Sequence, residues 1–145
     1  MLQIAPQQTI LLATKPADFR CGIDGLAALC RSQLNQDPFS GKVFVFTNKR
    51  RTSVKILVYD GQGYWLCLKR FSKGKLAWWP ATQEAAHQLL PSQLQILLYQ
   101  GSPQMANIPE NWRNITPLEA GAKNCLESSL HNSKEAKLVD SCAML

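Results

Sequence analysis

The sequence lacks the features that mark membrane proteins, secreted proteins and most enzymes. No apolar run approaches the roughly 20 residues that a membrane helix needs. The short apolar stretch Thr9–Ala13 has no basic residue before it and does not read as a signal peptide. A cytoplasmic location is the default. The five cysteines, Cys21, Cys30, Cys67, Cys125 and Cys142, are odd in number and contain no C-x-x-C pair. A disulfide framework or a zinc site would look different. They read as reduced thiols packed as small apolar side chains.

Catalytic constellations are equally thin. His87 and His131 have no H-x-x-x-H companion, and no phosphate-cradling G-x-x-x-x-G-K-[ST] loop or G-x-S-x-G elbow occurs. The acids of the first half are Asp18, Asp24, Asp37 and Asp60, each with a reading as a cap or turn residue. A metal-dependent nuclease needs carboxylates converging on two cations about 4 Å apart, which this spacing does not suggest. No catalytic residue, metal or cofactor is therefore expected. Two short motifs read as chance. Asn114-Ile115-Thr116 matches a glycosylation acceptor without a secretory signal. Cys142-Ala143-Met144-Leu145 matches a prenylation box without the polybasic flank that usually accompanies it.

What is present is a globular composition, 46% hydrophobic and 18% charged over 145 residues, enough for one domain with a real core. The net charge of +6 is unevenly spread. Up to Pro80 there are twelve Lys and Arg against four Asp; after it, four basic residues stand against six acidic ones. Charge confined to one half points to a polyanionic partner.

Along the chain, Thr9–Ala13 reads as a strand that Lys15-Pro16 ends. Ile23, Leu26, Ala27, Cys30 and Leu34 recur at three- and four-residue steps, which predicts a helix over Ile23–Leu34. Gly22 and Gly25 suit its start or a close backbone approach, since each costs about 1 kcal/mol in an exposed helix interior. Asp18 or Asp24 is placed to cap it or to favour its positive end. Asp37–Gly41 is a turn, with Pro38 and Gly41 supplying the special angles. From Lys42 to Pro80 the pattern is antiparallel sheet: strands at Val43–Phe46, Thr52–Tyr59, Gly63–Phe71 and Lys75–Trp79, with Asp60-Gly61 a strong hairpin signal. Thr82–Leu90 and Ser92–Gln100 read as two short helices separated by Pro91, with Gly101 as C-terminal cap. Beyond Ser102 the apolar density falls. Asn107–Pro117 reads as loop, Leu118–Leu130 as a weak helix and Ser133–Leu145 as a frayed tail.

The residues most apt for binding are the bases around the hairpin. Lys49, Arg50, Arg51 and Lys55 precede the Asp60-Gly61 turn, and Lys69, Arg70, Lys73 and Lys75 follow it. That is eight positive charges against one, interleaved with Tyr59, Tyr64, Trp65, Phe71, Trp78 and Trp79. Bases neutralise phosphates and release counterions, and aromatic faces stack on exposed bases. The plainer reading is a solvated basic face over an aromatic core, because alternation buries every second side chain.

An ordered set of motifs then carries a resemblance. It runs through Asp18–Leu29 with Arg20, Gly22, Asp24 and Gly25, then Asp37–Gly41 with Pro38 and Phe39, and Val43–Phe46 with Asn48-Lys49-Arg50. It continues with Lys55, Tyr59-Asp60-Gly61, Gly63, Lys69-Arg70, Gly74 and Trp79-Pro80. This resembles the TnpB-type accessory protein of insertion sequences of the IS sixty-six kind, over about Thr9–Gly101. The copy departs from the usual pattern at Cys21, at Val58-Tyr59 and at Phe71-Ser72.

The resemblance implies a role in transposition beside a larger transposase that carries the catalytic acids, and an association with the nucleoid when DNA is bound. The expected architecture is α+β: a mainly antiparallel β-sheet meander, with the N-terminal helix and two short C-terminal helices packed on one face. Residues 1–101 form the accessory-protein domain and residues 102–145 a loop-rich extension. Two kinds of partner fit: DNA held by Lys49, Arg50, Arg51, Lys55, Lys69, Arg70, Lys73 and Lys75, or the transposase or another element-encoded subunit, docked through the Asp18–Asp24 motif and exposed aromatics such as Trp65 and Trp78.

Overall fold

The computed structural model describes residues 4–107. The helix and tail expected after Asn107, the last two cysteines and most of the extension of residues 102–145 lie outside the described residues. In chain order the elements are β1 (Ile10–Ala13), α1 (Ile23–Ser32), β2 (Val43–Thr47), β3 (Ser53–Tyr59), β4 (Tyr64–Arg70), β5 (Ala86–Leu89) and α2 (Pro91–Leu98). They form an α+β domain around one five-stranded sheet in the order β4-β3-β2-β1-β5. The sheet is mainly antiparallel. Among the described strands only β1 and β2 run parallel, with Ile10 opposite Val43 and Leu12 opposite Val45, so it is a mixed sheet and not a pure meander. Among the described residues no helix is long and apolar enough to cross a membrane.

The helices do not share a face. Every residue of β1 and β2 is buried, as continuous apolar runs in a doubly covered sheet should be. Ile10, Leu12, Val43, Val45, Val54, Ile56 and Val58 pack on one side against Leu89, Leu94, Leu97, Leu76 and Trp79. Leu11, Ala13, Phe44, Phe46 and Leu57 pack on the other against Leu26, Ala27, Cys30 and Leu34. Thus α1 covers one face and α2 the opposite one. The one-sided arrangement expected from the sequence fails because an apolar strand pair has two faces to remove from water.

Two further expectations are corrected. Lys75–Trp79 is not a strand. Leu76 and Trp79, three residues apart, both enter the α2-side core, which a two-residue pleat forbids. The buried Trp79 indole donates to the Ala13 carbonyl at 3.1 Å, a partner that only this irregular path reaches. Thr82–Leu90 is not a helix either. Its second half is β5, which runs antiparallel to β1 from Ala13–Ala86 to Ile10–Leu89. Without it the free edge of β1 would leave backbone groups unpaired in the core, and that cost outweighs a modest helix propensity.

Pro91, read as a break between two helices, is instead the first residue of α2, where its missing N–H costs nothing. Gln93 accepts the Leu90 N–H at 2.9 Å. The helix closes with Gln100 N–H on the Leu97 carbonyl (3.0 Å) and Gly101 N–H on the Ile96 carbonyl (2.9 Å). Gln100 takes the left-handed turn (φ 62°). Gly101 is needed for a different reason: a Cβ there would sit 2.7 Å from Cγ2 of Ile96. Gly25 likewise lies against Cys21, whose Cβ would be 2.8 Å from an added methyl.

Two outcomes test this packing. Phe44→Ala, at a fully buried position, is expected to cost about 3–5 kcal/mol in urea denaturation, whereas Met105→Ala, at a position 89% exposed, changes stability by no more than about 0.5 kcal/mol. Burial pushes the Cys30 thiol up to about 12, with Arg31 offsetting only part of the shift. Of Cys21, Cys30 and Cys67, free thiols among the described residues, Cys30 should therefore be alkylated last in the native protein. Equal labelling rates by peptide mass mapping would contradict a sealed α1 face.

Candidate nucleic-acid interface

The basic residues meet at one end of the sheet, away from the Asp60-Gly61 hairpin. The turn between β2 and β3 is built by Asn48. Its side-chain carbonyl accepts the N–H groups of Thr52 (2.9 Å) and Ser53 (3.3 Å), and its amide donates to the Thr52 hydroxyl (3.0 Å). The Arg51 N–H returns to the Asn48 carbonyl at 3.0 Å, and Arg51 adopts φ 58°. This tight turn leaves Lys49, Arg50 and Arg51 exposed. Across β3, Ser53 pairs with Arg70 and Val54 with Lys69, so the end of β4 arrives beside the same turn. The following loop is tied there as well, by Phe71 N–H to the Thr52 carbonyl (3.0 Å) and Leu76 N–H to the Arg51 carbonyl (2.8 Å). Gln100 donates to the carbonyls of Lys73 (3.0 Å) and Lys75 (3.4 Å), which fixes the loop to the end of α2. Lys49, Arg50, Arg51, Lys69, Arg70, Lys73 and Lys75 are thus brought to one exposed rim.

Lys55 is not on it. It is only 8% exposed, and its ammonium donates to the carbonyls of Phe19 (2.8 Å) and Cys21 (2.9 Å) and lies 5.1 Å from the Phe19 ring. Its place in the phosphate-holding set is corrected to that of an anchor for the Phe19–Cys21 loop. The reason is topological: Lys55 alternates onto the α1 face, and that face is covered. Lys69 is exposed but engaged, donating to the Leu98 carbonyl and lying 5.1 Å from the Tyr99 ring and 5.6 Å from that of Phe71. A cation at the last carbonyls of α2 is favourably placed against the helix dipole.

The loop held by Lys55 carries the Asp18–Asp24 motif. Ala17 N–H bonds the Thr47 carbonyl at 2.9 Å, and Asp18 accepts the Arg20 N–H at 3.0 Å to make a local turn. Between this loop and the basic turn lies a cleft of about 680 Å³, with Asp18, Phe19 and Arg20 on one wall and Asn48, Lys49 and Arg50 on the other. The Arg20–Asp18 pair (3.8 Å, both largely exposed) is the one ion pair among the described residues, and such surface pairs add little stability. Gly22 is the residue before α1 and Asp24 lies in its first turn.

The remaining motif residues serve the scaffold. Asp60 accepts the N–H groups of Gln62 and Gly63 and the Trp65 indole, which holds its carboxyl below the usual range. Gly61 takes a positive φ in that turn, as Gly41 does in its own. Phe39 is half exposed and packs edge-to-face with Tyr59 (4.9 Å) and at a tilt against Tyr64 (5.4 Å), while Pro38, Trp79 and Pro80 are buried. Of the aromatics expected at the surface, Trp65 is 51% exposed, but Trp78 is half-buried against His87. Tyr99 and Gln100, which border the rim, carry no signal in the sequence, because the docking of the α2 terminus alone brings them there.

The chain has relatives. A family model described as IS66 Orf2 like protein matches residues 8–106, a span that contains all seven elements. The uncharacterized protein y4jC of Sinorhizobium fredii (strain NBRC 101917 / NGR234) is 38% identical over 89 residues, covering 61% of this chain and 75% of that protein. The uncharacterized protein y4hO of the same organism is 34% identical over 98 residues, covering 68% and 84%. No solved structure matches the chain.

Lys55→Met is expected to destabilise the fold by roughly 1–3 kcal/mol, because two carbonyls lose their donor, and to leave the salt dependence of any DNA binding unchanged. A slope reduced by one phosphate contact in the folded variant would return Lys55 to the binding set.

Proposed function

The chain belongs to the IS66 Orf2-like family, whose place is in transposition, and from that premise we propose that it is a non-catalytic accessory factor that holds DNA by its phosphates. One observation carries the reading. Lys49, Arg50, Arg51, Arg70, Lys73 and Lys75 are all exposed on a rim fixed by Asn48, Gln100 and the β3–β4 register, and none of them is ion-paired among the described residues. A rim of this kind neutralises phosphates and gains free energy from counterion release, with no base code in the contact itself. The adjoining cleft, where Phe19 and Arg20 face Lys49 and Arg50, supports the same reading. It offers one partly buried aromatic ring beside three cations, a combination suited to a nucleotide at a strand end or distortion.

The alternative is an adaptor that docks on the transposase. The exposure of Trp65 and Tyr99 favours it, since isolated exposed aromatics of this size are common anchors at protein interfaces.

A labelled duplex titrated at several salt concentrations, with an element-end sequence and a scrambled control, separates the two. The DNA reading expects a steep negative salt slope. It also expects that Arg50→Glu combined with Arg70→Glu weakens binding to both sequences alike and flattens the slope by about 0.9 per lost phosphate contact. Unchanged affinity and slope in the double variant would sink it. Absence of binding at low salt, with recovery of the chain alongside the transposase from nuclease-treated lysate, would establish the adaptor instead.

A further inference from the structure

Among the described residues the sheet ends at β4, and only one of that strand's edges is in use. All seven residues of β4 pair with β3 in one unbroken register. Just before the strand, Asp60 N–H donates to the Gly63 carbonyl (3.1 Å); just after it, Phe71 N–H donates to the Thr52 carbonyl (3.0 Å). Antiparallel ladders alternate strictly between residues that face the partner and residues that face away. The odd-numbered positions of β4 therefore face β3, and Tyr64, Leu66, Leu68 and Arg70 turn their N–H and C=O groups to the open edge. Among the described residues nothing pairs with them. Two of its large apolar side chains are exposed, one to each face: Trp65, 51% exposed and opposite Val58, and Leu68, 60% exposed and opposite Lys55. Long apolar edges are usually blunted, yet here charge appears only in the last two residues.

We propose that β4 pairs antiparallel with β4 of a second copy of this chain, about a two-fold axis at Cys67, joining the two sheets edge to edge. The register argues for the occupant. Pairing requires outward-turned residues to meet outward-turned residues, and a centre at Cys67 achieves this over the whole strand. Leu66 meets Leu68 of the second copy and covers that exposed side chain. Tyr64 meets Arg70, and Trp65 meets Lys69. A centre at Leu66 or Leu68 also satisfies the alternation, but it carries two residues at one end of each strand past its partner.

The side chains facing Lys69 favour the same centre. Like charges directly opposite one another repel, and none of the three centres sets base against base, but of the three only the centre at Cys67 sets Lys69 opposite an aromatic ring. The Lys69 ammonium already lies between the rings of Phe71 and Tyr99, and Trp65 of the second copy supplies a further aromatic face. The same register carries the turn of Asp60, the acid nearest this strand in sequence, toward the Ser72–Gly74 loop that holds Lys73.

The test uses the full chain freed of nucleic acid, so its outcome does not bear on the DNA reading. Sedimentation over a range of concentrations is expected to give twice the 16.2 kDa chain mass. Mild copper-catalysed oxidation should link the dimer through Cys67, because directly opposed residues of a non-hydrogen-bonded pair lie close to disulfide reach. Leu68→Pro removes an outward N–H and no bond to β3; it should raise the dimer dissociation constant at least ~tenfold while the circular dichroism stays native. Leu68→Lys, at a position already exposed, should act in the same direction should the proline variant fail to fold. A wild-type chain that stays monomeric throughout, a dimer cross-linked elsewhere than Cys67, or a dimer indifferent to the substitutions would each overturn the proposal.

Discussion

The burial of four consecutive residues, Ile10–Ala13, is the constraint to which the rest of the domain answers. Ile10 and Leu12 belong to one core and Leu11 and Ala13 to the other, so both faces of β1 have to be covered. Each of its edges is a row of amides that cannot be left dry and unpaired. β2 takes one edge and β5 the other, α1 and α2 take the faces, and the indole of Trp79 takes the Ala13 carbonyl at the strand's end. Because β1 and β2 are parallel, the chain between them has to cross a face of the sheet, and α1 fills that crossing.

The same parallel pair explains where the candidate interface lies. Parallel strands end side by side. The loop that leaves β1 with Asp18 and Arg20 therefore meets the turn that leaves β2 with Lys49 and Arg50, as the bond from Ala17 to Thr47 records. β3 starts at that end and β4 returns to it, which delivers Arg70 and the Lys73–Lys75 loop to the same place. The polar groups divide into two kinds. Asn48, Lys55, Lys69 and Gln100 bond mainly to backbone carbonyls and amides and set the geometry. Arg50, Arg51 and Arg70 form no ion pair among the described residues and stand in solvent. In the proposed function, the first kind reduces the ordering cost of the second on meeting a polyanion.

The two edges of the sheet are unlike for a related reason. β5 is four residues long with one of them buried, too short to recruit another strand, and Pro91 opens α2 just two residues after its end. β4 is seven residues long and apolar through its centre. The second copy proposed for it would add strands on that side only, leaving the helices of each domain where its own core puts them.

Much of this is written locally. The apolar run Val43–Phe46, the alternation in Thr52–Tyr59 and the Asp60-Gly61 turn were enough to read β2, β3, β4 and a mainly antiparallel α+β domain, because strand pattern and turn chemistry depend on near neighbours. The ordered motifs from Asp18 to Pro80 were enough for the family. What sequence alone could not decide were the facts that depend on distant partners. Ala86–Leu89 is a strand only because β1 offers an edge. Trp79 leaves the pleat only because the Ala13 carbonyl awaits it. Lys55, indistinguishable in the sequence from the bases around it, is an anchor because the α1 face it alternates onto is closed. Spacing assigns a side chain to a face of its own element, and only tertiary packing decides whether that face meets water.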